Sequence, residues 1–338
     1  MPESSTHRSI PVLCGLGAAL PARKITNHEI HQDHGLEPSW IEARTGIRTR
    51  HRVDAGTTTS DLATEAARQA LASAGQLEVD LVIVATTTPD CPVPATAPKV
   101  ARQLGHTHAA AFDINAVCSG FVYALAQGAA AIAAGQARTA LVIGADVFSS
   151  LLDPEDAVNH AIFGDGAGAV VLKAGTPEER GQIVASRLRA DGQGEQKIWV
   201  PNSGTDSPYF RMDGRDVFKE AVKKMTEVSQ QTAVEAAWNL AEVDWLVPHQ
   251  ANQRILNQVA LALGVNNRSV ITHLDEVGNT SAASIPLAMA RHHERFASGD
   301  KLLLTAFGGG YTWGAVALTW PEGLHVPSIA HITAAKDD

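Results

Sequence analysis

EVDLVIVATTT (Glu78–Thr88) and EVDWLVPHQAN (Glu242–Asn252) are one passage written twice. Each opens on Glu-Val-Asp, runs through apolar residues at strand length, and ends in a polar or hydroxyl-rich loop. Each also follows a helix-like segment, TSDLATEAARQALASAG (Thr59–Gly75) before the first and TAVEAAWNLA (Thr232–Ala241) before the second. The correspondence continues downstream. AAAFDINAVCSG (Ala109–Gly120) matches SVITHLDEVGNTSAAS (Ser269–Ser284), and TALVIGAD (Thr139–Asp146) matches KLLLTAFGGG (Lys301–Gly310). Matched positions stay 161 to 164 residues apart; Cys118 and Asn279 differ by 161, as do Leu141 and Leu302. A period this long, with helices and strands alternating, predicts a duplicated α/β fold rather than a solenoid. The halves read as residues 1–175 and 176–338. Near-continuous apolar strands predict sheets covered by helices on both faces, with ligands collecting beyond the carboxyl ends of the strands. The residues to inspect therefore lie at matched strand ends.

The 338 residues carry a formal net charge of −9, with 45% hydrophobic and 19% charged side chains. That length supports a substantial core, and the acidic balance argues against a nucleic-acid surface. No apolar run reaches the roughly 18 residues of a membrane span. MPESSTHRSIPVLCGLG lacks the layout of a secretion signal, so the expectation is a cytoplasmic protein. The three cysteines, Cys14, Cys91 and Cys118, are widely spaced and form no C-x-x-C, which argues against a disulfide framework or a zinc ribbon. Cys14, in IPVLCGLGAAL, reads as core, and Cys91, in the Pro-rich loop TPDCPVPATAP, as structural or lining. PSIAHITAAKDD (residues 327–338) reads as a loose tail.

Cys118 stands where a strand-like segment gives way to the Ala-rich, helix-forming FVYALAQGAAAIAAG. A thiol at a helix N-terminus is placed to be stabilised as thiolate. By itself the position equally fits a small buried residue at a tight turn. His249 follows an apolar strand and Pro248, and Asn279 sits between Gly278 and Thr280; each alone has a structural explanation too. Their occupation of homologous strand ends is what joins Cys118, His249 and Asn279 into one candidate site. FGGGYTWGA (Phe307–Ala315) adds three successive glycines after a strand, a way of turning backbone N–H groups toward an oxyanion. FGDGAGAVVL (Phe163–Leu172) contains G-x-G-x-G, but a strand follows it, so it is no dinucleotide fingerprint and reads as a hairpin-like connection under the site.

Taken together these segments resemble the β-ketoacyl-acyl-carrier-protein synthase III family, the priming ketosynthases of the thiolase-like superfamily. WIEARTGIRTRH, AVCSGF, IFGDGAGAVVL, WLVPHQANQRI, GNTSAASIPLA and FGGGYTWGA follow in that family's order and spacing across nearly the whole chain. The resemblance implies a thiolase-like duplicated five-layer α-β-α-β-α core and a homodimer. It implies that Cys118 takes an acyl group from acyl-CoA, with the N–H groups of Cys118 and Gly309 as the oxyanion hole. His249 and Asn279 would then hydrogen-bond the thioester oxygen of malonyl-acyl-carrier protein as CO₂ leaves. No metal or organic cofactor is implied. By matched position, Trp40, Arg44, Gly214, Phe218 and Asn252 would bind CoA and its pantetheine arm. Gln250, Arg254 and Lys219, with Lys223 and Lys224, would meet the carrier protein, and Val93 and Phe307 would bound the acyl pocket, Val93 from across the dimer.

Three departures from the pattern involve four positions. Ala157 stands where many priming enzymes carry an arginine on the CoA adenine, and Leu261 and Ala262 stand where lysines are frequent. Val93 replaces a bulky aromatic, which predicts room for a longer or branched starter. Two other readings share the residues. One is transfer of the acyl group to a non-malonyl acceptor, and the other is a Cys–His thioester or amide hydrolase. A binding protein without catalysis would leave the matched strand ends without a reason.

Overall fold

The computed structural model describes residues 9–201 and 208–333. Two sheets carry the fold. From the strand Ile10–Pro21 the first runs through Gly166–Gly175, Thr139–Asp146 and Leu81–Ala85 to Ala110–Ile114. From Ile183–Ala190 the second runs through Thr312–Thr319 and Lys301–Gly308 to Trp245–Pro248. In both, the first two pairings are antiparallel and the next is parallel. The fifth place of the second sheet is marked by a single parallel bridge, Leu246 to Val270. The repeat read in the sequence is thus a repeat of strand order.

The helices complete five layers. Gly120–Ala133 and Ser284–His292, the matched helices after the Cys118 and Asn279 turns, lie between the sheets and touch both. Thr59–Ser73 and Thr96–Gln103 cover the first sheet, and Gly214–Glu235 covers the second, with Gln253–Leu263 packed against it. Local chemistry supports these spans. Thr58 and Asp61 form a capping box that starts Thr59–Ser73, and Asp213 caps Gly214–Glu235. All five residues of Leu81–Ala85 are buried, as a strand covered on both faces requires. The middle layer approaches closely. A Cβ on Gly144 would stand 2.3 Å from the Ala282 carbonyl oxygen, so only glycine lets the Asn279 turn rest on this strand.

The tail departs from expectation. Ala330–Ile332 is no loose end: it joins the first sheet, parallel to Ala19–Pro21, and Ile332 accepts a bond from the Ala22 N–H at 2.8 Å. Gly181 reaches the same edge, taking the Leu13 N–H at 2.8 Å. The second half of the chain therefore completes the first sheet. The last five residues, 334–338, lie outside the described residues.

Candidate active site

Cys118 lies in a short turn, Val117–Ser119, that leads directly into the helix Gly120–Ala133. Val117 enters it at φ +49°, and Ser281 makes the same left-handed turn at φ +50° after Asn279 in the second half. Non-glycine residues hold that conformation only under constraint from their surroundings. Here the constraint is a web of hydroxyls. Thr312 Oγ1 lies 2.7 Å from Ser119 Oγ, 2.9 Å from the Ala116 carbonyl and 3.0 Å from the Gly309 carbonyl. The glycine loop is thereby fastened to the nucleophile turn.

Cys118, His249 and Asn279 line one cavity of about 210 Å³, whose remaining wall is largely apolar. Phe163 and Phe210 form part of that wall with Phe148 behind them. Phe148 stacks on Phe163 at 4.1 Å and Phe210 stands edge-on to both. The helix Gly214–Glu235 contributes Val217, Ala221 and Met225, at helical spacing on one face. Gly214, Phe218, Asn252 and Phe307, singled out in the sequence, line the same cavity.

Two polar side chains are held by their inner atoms. His249 Nδ1 is 2.7 Å from Ser284 Oγ, and Asn279 Oδ1 accepts the Ser281 N–H at 2.9 Å. His249 Nε2 and Asn279 Nδ2 remain for the cavity. With the Ser284 hydroxyl donating to Nδ1, the ring carries its proton on Nε2, and both side chains offer a neutral N–H. Burial keeps the imidazole neutral, with its pKa down at about 3.

The sulfur departs from expectation in its resting state. A helix N-terminus favours thiolate, but burial dominates and pushes the Cys118 thiol up to about 12. The Ser281 hydroxyl and the Cys118 N–H pull the other way.

Around the cavity mouth, the Arg44 guanidinium lies 5.7 Å from the Trp40 ring, and the Arg44 carbonyl accepts from Asn252 Nδ2 at 3.2 Å. Arg254 lies 5.5 Å from the Phe218 ring. Lys219 and Lys223 are exposed, whereas Lys224 is engaged over Trp313, 4.5 Å from its ring. Ala157 opens the short helix Ala157–Ile162, and its neighbour Val158 lines the cavity.

Gln250 corrects the sequence reading. It is fully buried, with Nε2 donating to the Pro248 and Ile271 carbonyls and Oε1 accepting from the His273 and Leu274 N–H groups. No surface of it is left for a carrier protein; it clamps the loop that carries His249. Val93 lies outside the cavity and is 84% exposed, so within one chain it bounds no acyl pocket. Sequence reasoning missed Ser281, Ser284, Thr312 and Asp146. The serines stand in the quoted GNTSAAS run, but nothing in the run says which hydroxyl turns inward.

A duplicated five-layer fold whose cysteine lines a largely apolar cavity is that of the thiolase-like condensing enzymes. The comparisons narrow the class. Residues 112–192 match the family model of 3-oxoacyl-[acyl-carrier-protein] synthase III, and residues 234–320 match that of its C-terminal part. β-Ketoacyl-[acyl-carrier-protein] synthase III 3 of Streptomyces coelicolor is 51% identical over 325 residues, 92% of this chain and 97% of the relative. The crystal structure of 3-oxoacyl-(acyl carrier protein) synthase III from Pseudomonas aeruginosa PAO1 superposes with a TM-score of 0.90 at 45% identity, covering 93% of this chain and 99% of that one. The priming β-ketosynthase of the R1128 polyketide pathway superposes with a TM-score of 0.88 at 31% identity, covering 93% and 97%. The chain belongs to the β-ketoacyl-[acyl-carrier-protein] synthase III family. It is accordingly an acyl-transferring condensing enzyme.

Proposed function

We propose that this chain moves an acyl group from acyl-CoA to Cys118 and condenses it with malonyl-acyl-carrier protein, priming fatty-acid or polyketide synthesis. The observation that carries the reading is that two polar side chains of the cavity are each fixed by one atom, which leaves the other for substrate. His249 and Asn279 are held at Nδ1 and Oδ1 by Ser284 and Ser281, inside the cavity that Cys118 also lines. Two neutral donors suit an oxygen that gains negative charge as malonyl loses CO₂, because they are already oriented when the enolate forms. A hydrolase would instead need His249 as a base, and an imidazole whose pKa is pushed down to about 3 is a poor one.

In the first half-reaction the Cys118 sulfur attacks the acyl-CoA carbonyl, the N–H groups of Cys118 and Gly309 take the oxyanion, and CoA leaves. In the second, the enolate carbon attacks the acyl-Cys118 carbonyl and releases a 3-ketoacyl product. The apolar cavity takes the pantetheine arm, with Trp40, Arg44 and Asn252 near its mouth and Arg254, Lys219 and Lys223 offered to the acidic carrier protein. The enzyme acts as a cytoplasmic homodimer. The support for pairing is the free edge of the strand Ala110–Ile114, where Phe112 is 42% exposed, and the exposed Val93 loop.

Intact-protein mass spectrometry tests the reading. Incubation with acyl-CoAs should load Cys118 and not a Cys118→Ala variant, and malonyl-acyl-carrier protein should then discharge the adduct as a 3-ketoacyl product. An adduct indifferent to malonyl would move transfer to another acceptor to the front.

A further inference from the structure

The stretch WIEARTGIRTRH holds one residue that the proposed condensation leaves without a task. Arg50 lies in the short strand Thr49–His51, paired with Lys24–Thr26, and is fully buried. Its Nη2 donates to Asn27 Oδ1 at 2.8 Å and to the Ala161 carbonyl, and its Nη1 donates to the Ile25 carbonyl at 3.4 Å. Its Nε has no partner, and among the described residues no carboxylate pairs with the guanidinium. A charge buried without a counter-ion is costly, so three neutral acceptors converging on one call for a reason.

The reason lies one residue beyond Ala161. Ile162 closes the helix Ala157–Ile162, and its carbonyl accepts the Asn279 backbone N–H at 2.9 Å. The Gly164 N–H donates to the Asn279 carbonyl at 3.0 Å, so Phe163 and Asn279 form a parallel bridge bonded on both sides. The Asp165 N–H then returns to the His51 carbonyl at 2.8 Å. Residues 161–165 thus run between Arg50 and His51 on one side and Asn279 on the other. The joint has little slack. A Cβ on Gly164 would stand 2.4 Å from the Val277 carbonyl oxygen, and one on Gly278 2.8 Å from the Ile162 carbonyl oxygen. Each would also lie 3.1 Å from Arg50 Cβ. Packing this tight passes a shift of the segment on to Asn279 instead of absorbing it. The Cys118 turn is fastened elsewhere, through Thr312, Ser119 and the Ala116 and Gly309 carbonyls.

We infer that Arg50 is a positioning residue for malonyl decarboxylation: its hold on the Ala161 carbonyl sets the segment Ile162–Gly164 on which the Asn279 backbone hangs, and so aims Asn279 Nδ2. The inference rests on the condensation reading, in which Nδ2 meets the malonyl thioester oxygen. A guanidinium suits the task, because its planar fork reaches Ala161, Asn27 and Ile25 in fixed directions. An ammonium on a flexible stem does not reproduce those directions. No bond or proton changes hands at Arg50, which acts on the reaction only through Asn279.

Arg50→Lys, which keeps the charge and loses the fork, tests this on the two half-reactions separately. CO₂ release from malonyl-acyl-carrier protein should slow by about 10- to 10²-fold, the scale of a group misplaced by up to about 1 Å. The fall should lie in kcat, with KM for the malonyl substrate and the loading of Cys118 by acyl-CoA within about twofold of the parent. Amide hydrogen exchange reads the cause without any substrate. The Asn279 backbone N–H should exchange about tenfold faster, and the Cys118 N–H at the parent's rate. Asn27→Ala, which removes one of the three acceptors, should move CO₂ release and Asn279 exchange the same way by about threefold, and decides if Arg50→Lys does not fold. CO₂ release at the parent's rate overturns the inference. An equal loss in both half-reactions also overturns it, being the mark of a cavity loosened throughout. Slowed release with unchanged exchange at Asn279 does so too, because Arg50 would then act by another route. Should the parent release no CO₂ from malonyl, the condensation reading fails, and exchange at Asn279 alone judges the hold of Arg50.

Discussion

His249 Nδ1 and Ser284 Oγ stand 2.7 Å apart, linking a loop of the second sheet to the first turn of the helix between the sheets. The bond aims the ring. Ser284→Ala should leave loading of Cys118 intact and slow malonyl decarboxylation about tenfold, the worth of one hydrogen bond. Asn279→Ala removes a donor outright and should cost 10²- to 10³-fold in the same step. Radiolabelled CO₂ release, measured beside acyl-adduct formation, separates the two halves.

The neutrality of His249 has a pH signature. Its pKa sits at about 3, far below the ordinary 6.5, so the ring remains an N–H donor throughout pH 5–8. Malonyl decarboxylation should show no acid-side limb near pH 6.5. Such a limb would mean that the imidazole titrates normally in the working enzyme.

Stability should respond to the same burial. The pKa values of His249 and His273 are held down at about 3 and that of His160 at about 4. Below about pH 6.5 the unfolded chain gains protons at these sites that the folded chain refuses, so stability falls as pH drops from 6.5 toward 4. Denaturant midpoints at pH 7.5 and 5 should show the loss; equal midpoints would contradict it.

Gly308 touches the nucleophile turn more closely than its neighbours. A Cβ there would lie 2.9 Å from both the Ala116 carbonyl oxygen and the Cys118 nitrogen. Gly308→Ala must displace that turn, at a cost of about 1–3 kcal/mol. Loading of Cys118 should fall steeply while circular dichroism keeps its shape.

Phe112 and Val93 test the pairing of two chains. Phe112→Glu on the exposed edge should yield monomers in sedimentation, with activity lost alongside. Val93→Phe should narrow starter choice toward acetyl-CoA against butyryl- to octanoyl-CoA. A parent enzyme already strict for acetyl would remove the basis for reading Val93 as a spacious position.

The duplication was legible because apolar strands at a constant offset leave a pattern that no single side chain can hide. Cys118, His249 and Asn279 were legible because that pattern put each at a strand end. Gln250 was misread because a polar residue beside a loop histidine looks exposed until the His273 and Leu274 amides are folded over it. Asp146 and Ser284 stayed hidden for a related reason: Ser284 meets His249 35 residues away in the chain, and Asp146 meets the Ala282 amide 136 residues away. The thiol's high pKa depends on burial, which composition does not report. The strand Ala330–Ile332 is held by backbone bonds, to which the sequence AHI is nearly indifferent.

That last strand has a consequence during synthesis. The outer edge of Ile10–Pro21 is covered by Gly181 and by Ala330–Ile332, both from the later half of the chain. A nascent first half would leave the ribosome with this edge bare, a template for pairing with other chains. Final closure waits for residues made more than three hundred positions later. The protein is therefore expected to complete its two halves together, in one late and concerted step.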